Sequence, residues 1–238
     1  MANSWFRFKQ FTIHQQVAAM KVTTDACLFG AAQPLFKHRG EGKKILDIGA
    51  GTGLLSLMTA QLNPLAEITG IEIDAATAAE AMENVALSTF NEVQIINANI
   101  LDFQSPTLFD HIISNPPFHE AQLPSDNELK NMAHHSTALS LEHLFIIIQR
   151  LLKPEGTASV LIPHYREPEA RYLALANSLF TRKVIRVRQT PDHAFFRSIL
   201  FLSGLTANSV NIEMSIKDEK GKYTREFTAL LKPFYLYL

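Results

Sequence analysis

The stretch Lys44-Ile45-Leu46-Asp47-Ile48-Gly49-Ala50-Gly51-Thr52-Gly53-Leu54-Leu55 leaves a chain few ways to fold. Its first residues read as a buried strand, its alternating glycines as a tight turn, and the residues after Gly53 as a helix. Such glycines let the backbone bend sharply and approach a ligand, and the helix start offers unpaired N–H groups to a carboxylate or other polar ligand end. The dinucleotide fingerprint GxGxxG would need glycine at position 54, where this chain has Leu54, which disfavours a nicotinamide oxidoreductase. Downstream, Glu67-Ile68-Thr69-Gly70-Ile71-Glu72-Ile73-Asp74 reads as a second strand ending in an acid. It falls about 20 residues beyond the turn, where a carboxylate that holds ribose hydroxyls is expected, and Glu72 is the candidate.

The same alternation continues. Strands are expected near residues 44–48, 67–73, 93–97 and 110–114, with helices near 53–62 and 75–88 between them. This is an α/β pattern, a parallel sheet with helices on both faces, and ligands of such sheets bind at the carboxyl ends of the strands. Asp47, Glu72, Asn99 and Asn115 all fall at such ends. Beyond them, helices are expected at 140–152 and 166–179, a strand at 156–162, a hairpin-like pair at 182–189 and 195–203, and a further hairpin around Lys220-Gly221.

Asn115-Pro116-Pro117-Phe118 directly follows the strand-like His111-Ile112-Ile113-Ser114. These residue types suit methylation of a planar nitrogen, whose lone pair is delocalised and must be localised before it can attack. The Asn115 side-chain oxygen and the Pro116 carbonyl can each accept one N–H of such an amine, drawing the nitrogen toward tetrahedral geometry. The prolines hold the backbone rigid and donate no competing N–H. Phe118 offers a face on which a flipped-out base can stack. The polar stretch from His119 to Ser140 reads as a loop able to close over that base.

Together these motifs resemble the S-adenosyl-L-methionine-dependent methyltransferases of the Rossmann-like class. Two further segments, Phe6 to Ala26 and Tyr223 to Leu236, are similar to the bacterial tRNA1(Val) adenine-N6 methyltransferase family. That resemblance implies a mostly parallel seven-stranded sheet with helices on both faces and one antiparallel strand. It implies an N-terminal appendage over residues 1–40 that covers substrate or cofactor, and a methyltransferase domain over 41–238 with a C-terminal hairpin extension. It implies S-adenosyl-L-methionine held by Asp47, Gly49, Gly51, Gly53, Glu72, Asn99, Lys21 and Thr24, and methyl transfer to N6 of adenine 37 in tRNA. Asn99 stands where many members carry Asp, so its amide oxygen would accept a hydrogen bond without charge assistance. Guanine-N2 methylation of rRNA, methylation of a protein glutamine amide, and a catalytically idle RNA-binding or cofactor-sensing module are the alternatives. Glutamine methylation fits less well, because its motif usually ends in Tyr rather than Phe118.

Charge is distributed in a way that suits a nucleic-acid partner despite a net charge of -1. Residues 1–44 hold seven Lys/Arg against two acids, residues 45–147 one against thirteen, and residues 148–238 fourteen against eight. The basic ends flank an acidic cofactor half. Arg182, Arg186 and Arg188 fall on one strand face and, with Arg197, form a candidate RNA row. Arg7, Lys9 and Lys21 form a second patch, where Phe6, Phe8 and Phe11 serve either for stacking on bases or for core packing. The single cysteine, Cys27, excludes an intrachain disulfide framework. The nine histidines, including His134 and His135, are not spaced with cysteines as metal ligands, so no metal is expected. No stretch reads as a signal peptide or membrane span, and a cytoplasmic monomer is the expectation.

Overall fold

The computed structural model describes residues 3–18, 20–36, 42–117, 139–206 and 208–238. In chain order the elements are β1 (Trp5–Arg7), β2 (Thr12–His14), α1 (Thr24–Ala31), β3 (Lys44–Ile48), α2 (Leu54–Leu62), β4 (Glu67–Glu72), α3 (Ala75–Ala86), β5 (Val93–Asn97) and β6 (Phe109–Ser114). They continue with α4 (Leu141–Leu151), β7 (Leu152–Pro163), a 3-10 turn (His164–Arg166), α5 (Glu167–Ala176), β8 (Phe180–Arg188), β9 (Phe195–Ser203), β10 (Val210–Ser215) and α6 (Arg225–Leu231).

β1 and β2 form a separate antiparallel hairpin, and the other eight strands make one sheet in the order β10-β8-β9-β7-β6-β3-β4-β5. Every neighbouring pair is parallel except those of β9, which runs against both β7 and β8. The link from β8 to β9 is too short for a crossover, so β9 folds back beside β8 and fills the gap next to β7. The sheet has eight strands where seven are expected. The extra one, β10, lies parallel to β8 at the edge with its first four residues exposed, so it carries no apolar alternation by which to read it.

Period-two alternation along the strands feeds two cores. Ile45, Ile113 and Ile185 face α1, α2, α3 and α6, whereas Leu46, Ile112 and Val184 face α4 and α5. Helices α3 and α4 start where a side chain takes an orphan N–H: Asp74 accepts from Thr77 N at 2.8 Å before α3, and Ser140 from His143 N at 3.1 Å before α4.

The expected N-terminal appendage over residues 1–40 includes α1. Cys27, Leu28 and Phe29 of α1 are buried in the same cluster as β3 and α2. Burial pushes the Cys27 thiol up to about 12, so it packs as a small apolar group. Of the two uses open to the N-terminal aromatics, Phe8 and Phe11 take core packing; they are buried, with rings stacked at 4.6 Å. The hairpin expected around Lys220-Gly221 is a short one, turning with Gly221 at φ 75 and Asp218 Oδ1 accepting from Lys220 N and Lys222 N at 2.9 Å each. Its two arms pair antiparallel over a short span, with one bridge between Lys217 and Tyr223 flanked by Asp218 N donating to Lys222 O at 2.8 Å and Thr224 N to Ile216 O at 3.1 Å, before the chain enters α6.

Candidate active site

The parallel register brings the carboxyl ends of β3 to β6 level: Ile48 lies opposite both Ile71 and Ser114, and Glu72 opposite Asn97. A cleft of about 740 Å³ runs along these ends. The turn after β3 is tied to β4 by the Gly49 and Ala50 N–H groups, which donate to Ile71 O at 2.9 and 3.0 Å. Gly49 and Gly51 line the cleft at φ 74 and 55, a region that side-chain-bearing residues rarely adopt. Gly53, at φ 81, instead caps α2 and packs against Ala81 of α3, off the cleft.

Glu72 closes this loop from the side. Its Oε2 accepts from Gly51 N and its Oε1 from Asp74 N, both at 2.9 Å, and each oxygen keeps a lone pair for a ligand hydroxyl. Asp47, though also near a strand end, is fully buried and does not line the cleft. It accepts from Ser56 Oγ at 2.7 Å, its other oxygen has no partner among the described residues, and it supports the loop from beneath. Burial pushes its carboxyl up to about 7, a rise to which the Glu72 charge adds and which the Ser56 hydrogen bond opposes. Asn99 lines the cleft, and its Oδ1 accepts from Leu101 N at 3.0 Å. Lys21 also lines it, whereas Thr24 is exposed at the start of α1, away from it.

On the opposite wall, Ser114 Oγ donates to Ile48 O at 2.9 Å and locks the end of β6 to the end of β3. Asn115 follows, half-buried and lining the cleft, with its Nδ2 3.8 Å from Met20 Sδ. Pro116 is buried, and Pro117 is exposed on the cleft wall. Phe118, the expected cover that begins at His119, and His134 and His135 lie outside the described residues. Lower on the same strand, His111 sits fully buried between Thr157 Oγ1 at 2.8 Å and Gln33 Oε1 at 3.0 Å, and Ser159 Oγ donates to that same Gln33 oxygen at 2.6 Å. Burial holds its imidazole down at about 3, so it is a neutral tie between β6, β7 and the segment after α1.

What fixes the N-terminal segment could not be read from residue pattern. Glu80 of α3 collects the N–H groups of Gln16, Val17 and Ala18 on one buried carboxylate. Asn84, one turn on, accepts from His14 N at 2.8 Å and donates to His14 O at 2.9 Å and Thr52 O at 3.0 Å. This strap carries Val17, Ala18, Met20 and Lys21 onto the cleft. The only available signal was two polar residues at helical spacing among the alanines of α3.

The basic residues divide. Arg186 forks onto Glu167 at 2.8 and 2.6 Å, Arg197 reaches Asp25 at 2.7 Å, and Arg188 bonds Ser215 Oγ at 3.1 Å and lies 3.5 Å from Glu213. Lys9 Nζ donates to Lys232 O at 2.6 Å. Arg7 and Arg182 are exposed. Among the described residues no three His, Cys, Asp or Glu side chains gather as metal ligands, and no helix is long and apolar enough to cross a membrane.

Comparison with known proteins agrees with this geometry. The family profile described as Methyltransferase small domain matches residues 31–166. A protein of Dyadobacter fermentans named tRNA1(Val) (adenine(37)-N6)-methyltransferase is 42% identical, covering 98% of each chain. One of the same name from Bacteroides thetaiotaomicron is 36% identical and covers all of both. Among solved structures, a methyltransferase from Pyrococcus furiosus aligns with TM-score 0.60 at 17% identity over 82% of this chain and 89% of its own. A Thermus thermophilus 16S rRNA N2 G1207 methyltransferase in complex with AdoMet and guanosine aligns with TM-score 0.56 at 21% identity, over 84% of this chain and 49% of its own. A glycine loop latched to an acid across a cleft from Asn-Pro-Pro, in a chain this similar to those relatives from end to end, belongs to the methyltransferase small-domain family and, within it, to the tRNA1(Val) (adenine(37)-N6)-methyltransferases.

Proposed function

We propose that this protein transfers a methyl group from S-adenosyl-L-methionine to N6 of an adenine in tRNA, at position 37 of tRNA1(Val). The observation that carries the chemistry is that the Gly49–Gly51 loop with Glu72 and the Asn115–Pro117 segment face each other across one cleft. The cleft's residues fit that cofactor: bare glycine backbone, a carboxylate with lone pairs to spare, and the apolar side chains of Ile73 and Leu101. Bound there, S-adenosyl-L-methionine supplies an electrophilic methyl on a sulfonium. Glu72 would hold its ribose hydroxyls, Lys21 its carboxylate, and Asn99, through the second lone pair of an oxygen that Leu101 already engages, its adenine amine.

Asn115 Oδ1 and Pro116 O accept the two N–H groups of the adenine amine and hold its lone pair on the in-line path, and Phe118 stacks on the base. No base is needed at the nitrogen, which becomes acidic on methylation and loses its proton to water. The N-terminal strap up to Val22 covers the cofactor, in keeping with its hold on Glu80 and Asn84. Of the six cations expected to face RNA, the exposed Arg7 and Arg182 are the proposed ones, because Arg186, Arg188 and Arg197 are held on Glu167, Glu213 and Asp25 and Lys9 on Lys232 O, and the protein works as a cytoplasmic monomer.

The test is transfer of labelled methyl from S-adenosyl-L-methionine to unmodified tRNA, with nucleoside analysis of the product. N6-methyladenosine is expected, and Asn115→Ala should lower kcat about 10²- to 10³-fold with cofactor affinity kept. N2-methylguanosine in rRNA, or label in protein only, would overturn the assignment; equal losses in turnover and cofactor binding would overturn the role of Asn115.

A further inference from the structure

Past the Asn-Pro-Pro segment the same rim of the sheet continues. There β7 ends at Pro163 and turns into His164–Arg166, β9 begins at Phe195, and β8 ends at Arg188. These ends enclose an open pocket of about 400 Å³ lined by His164, Tyr165, Glu167, Pro168, Arg186 and Phe195. The chemistry described so far does not use it.

Its charges are matched internally. Arg186 forks onto Glu167, Arg171 reaches the same carboxylate at 3.6 Å, Arg166 forks onto Glu169 at 2.9 and 2.8 Å, and Arg188 lies 3.5 Å from Glu213. A phosphate would have to compete with carboxylates already seated on these guanidinium groups. What the pocket offers instead is aromatic surface. Tyr165 is 68% exposed, a large ring left in water. Phe195 is half-buried, its ring 5.3 Å from that of His164 and 5.1 Å from the Arg188 guanidinium carbon. Ser198 Oγ donates to Glu167 Oε2 at 2.8 Å, so the 2.9 Å contact of His164 Nδ1 with Ser198 makes Nδ1 the donor. With Nδ1 so engaged, His164 keeps Nε2 for a further hydrogen bond. Ring faces beside a fixed polar edge match an unpaired nucleobase, which stacks and presents donors at its rim.

We propose that this pocket holds an unpaired base neighbouring the one that is methylated, stacked on Tyr165 and Phe195; this rests on the reading of the protein as a tRNA methyltransferase. Strand order fixes how near the neighbour is. From β6 to β9 is two strand steps, roughly 10 Å at about 4.8 Å per step. With a rise of about 3.4 Å per stacked nucleotide, the second base lies within about three positions of the target.

The experiment is steady-state methylation of an unmodified tRNA transcript by the wild type, Tyr165→Ala and Tyr165→Phe, with KM measured separately for tRNA and for S-adenosyl-L-methionine. Transcripts with a single abasic site at each position within three of the target complete the set. Tyr165→Ala should raise KM for tRNA about tenfold, the loss of one stacked base, with most of the effect on KM rather than kcat and KM for the cofactor unmoved. Tyr165→Phe keeps the ring and should stay within about twofold of wild type. One abasic transcript should reproduce the loss and add nothing to Tyr165→Ala. Unchanged KM in Tyr165→Ala, additive losses, or a salt dependence weakened by about one phosphate contact would overturn the pocket's assignment while leaving methylation of tRNA intact. A wild-type enzyme that labels no tRNA would overturn the functional reading, and the ligand of this pocket with it.

Discussion

The two halves of the sheet's carboxyl rim are built from different materials. Along β3, β4 and β5 the ligand surface is largely backbone: glycines at positive φ, N–H groups latched to Glu72, and a strap whose own N–H groups are gathered by Glu80. Along β7, β8 and β9 it is made of side chains, with arginines held on carboxylates and rings standing between them. Backbone surfaces depend on residue type at fixed spacing, so they can be read from a sequence. Side-chain surfaces depend on which partner the fold brings near, and Arg182, Arg186 and Arg188, equivalent by spacing, end up with different neighbours.

That contrast can be broken most sharply at the arginines. Arg186→Ala leaves Glu167, only 5% exposed, without its main cation, and should cost about 2 kcal/mol of unfolding free energy by denaturant titration. Arg182→Ala, on the same strand, should stay within about 0.5 kcal/mol. Equal losses would mean that the pairing with Glu167 contributes nothing.

The seam between the halves is β6, and His111 makes it pH-sensitive. Its folded pKa is depressed from 6.5 to about 3, so the folded state binds fewer protons than the unfolded chain. The stability it contributes is complete above pH 6.5 and is lost as pH falls toward 3, at up to about 1.4 kcal/mol per pH unit. His111→Gln should flatten the fall of Tm over that window. An unchanged slope would place the sensitivity in other groups.

A smaller effect tests the backbone half. Gly51→Ala forces a side-chain-bearing residue to φ 55 and should weaken S-adenosyl-L-methionine binding about tenfold by calorimetry, with the fold intact. Affinity equal to wild type would show that the loop tolerates another conformation.

What could be read beforehand follows the same division. β3 and β5 lie where their apolar runs place them, and Glu72 and Asn115 line one cleft because parallel strands end level. Asp47 could not be told from Glu72 by spacing; both faces of β3 are buried, and Asp47 reaches Ser56 because it shares a face with Ile45, the side on which α2 packs. The strap was hidden because its contacts join residues 14–18 to residues 80–84, and a buried Glu80 looks in sequence like any acid on a helix. β10 was hidden for the opposite reason, being a strand made by pairing with little burial.

The anchor of the N-terminal hairpin has a consequence in time. Lys9 N donates to Phe234 O and Lys9 Nζ to Lys232 O, partners 223 residues apart in the case of Lys232, and Phe6 and Phe8 rest against Tyr235. The Lys9–Lys232 contact spans 223 residues, so closing it costs more chain entropy than pairing neighbouring strands. Contacts of long sequence separation slow folding relative to local ones, so the hairpin is expected to dock on the C-terminal segment after the local strand pairs have formed.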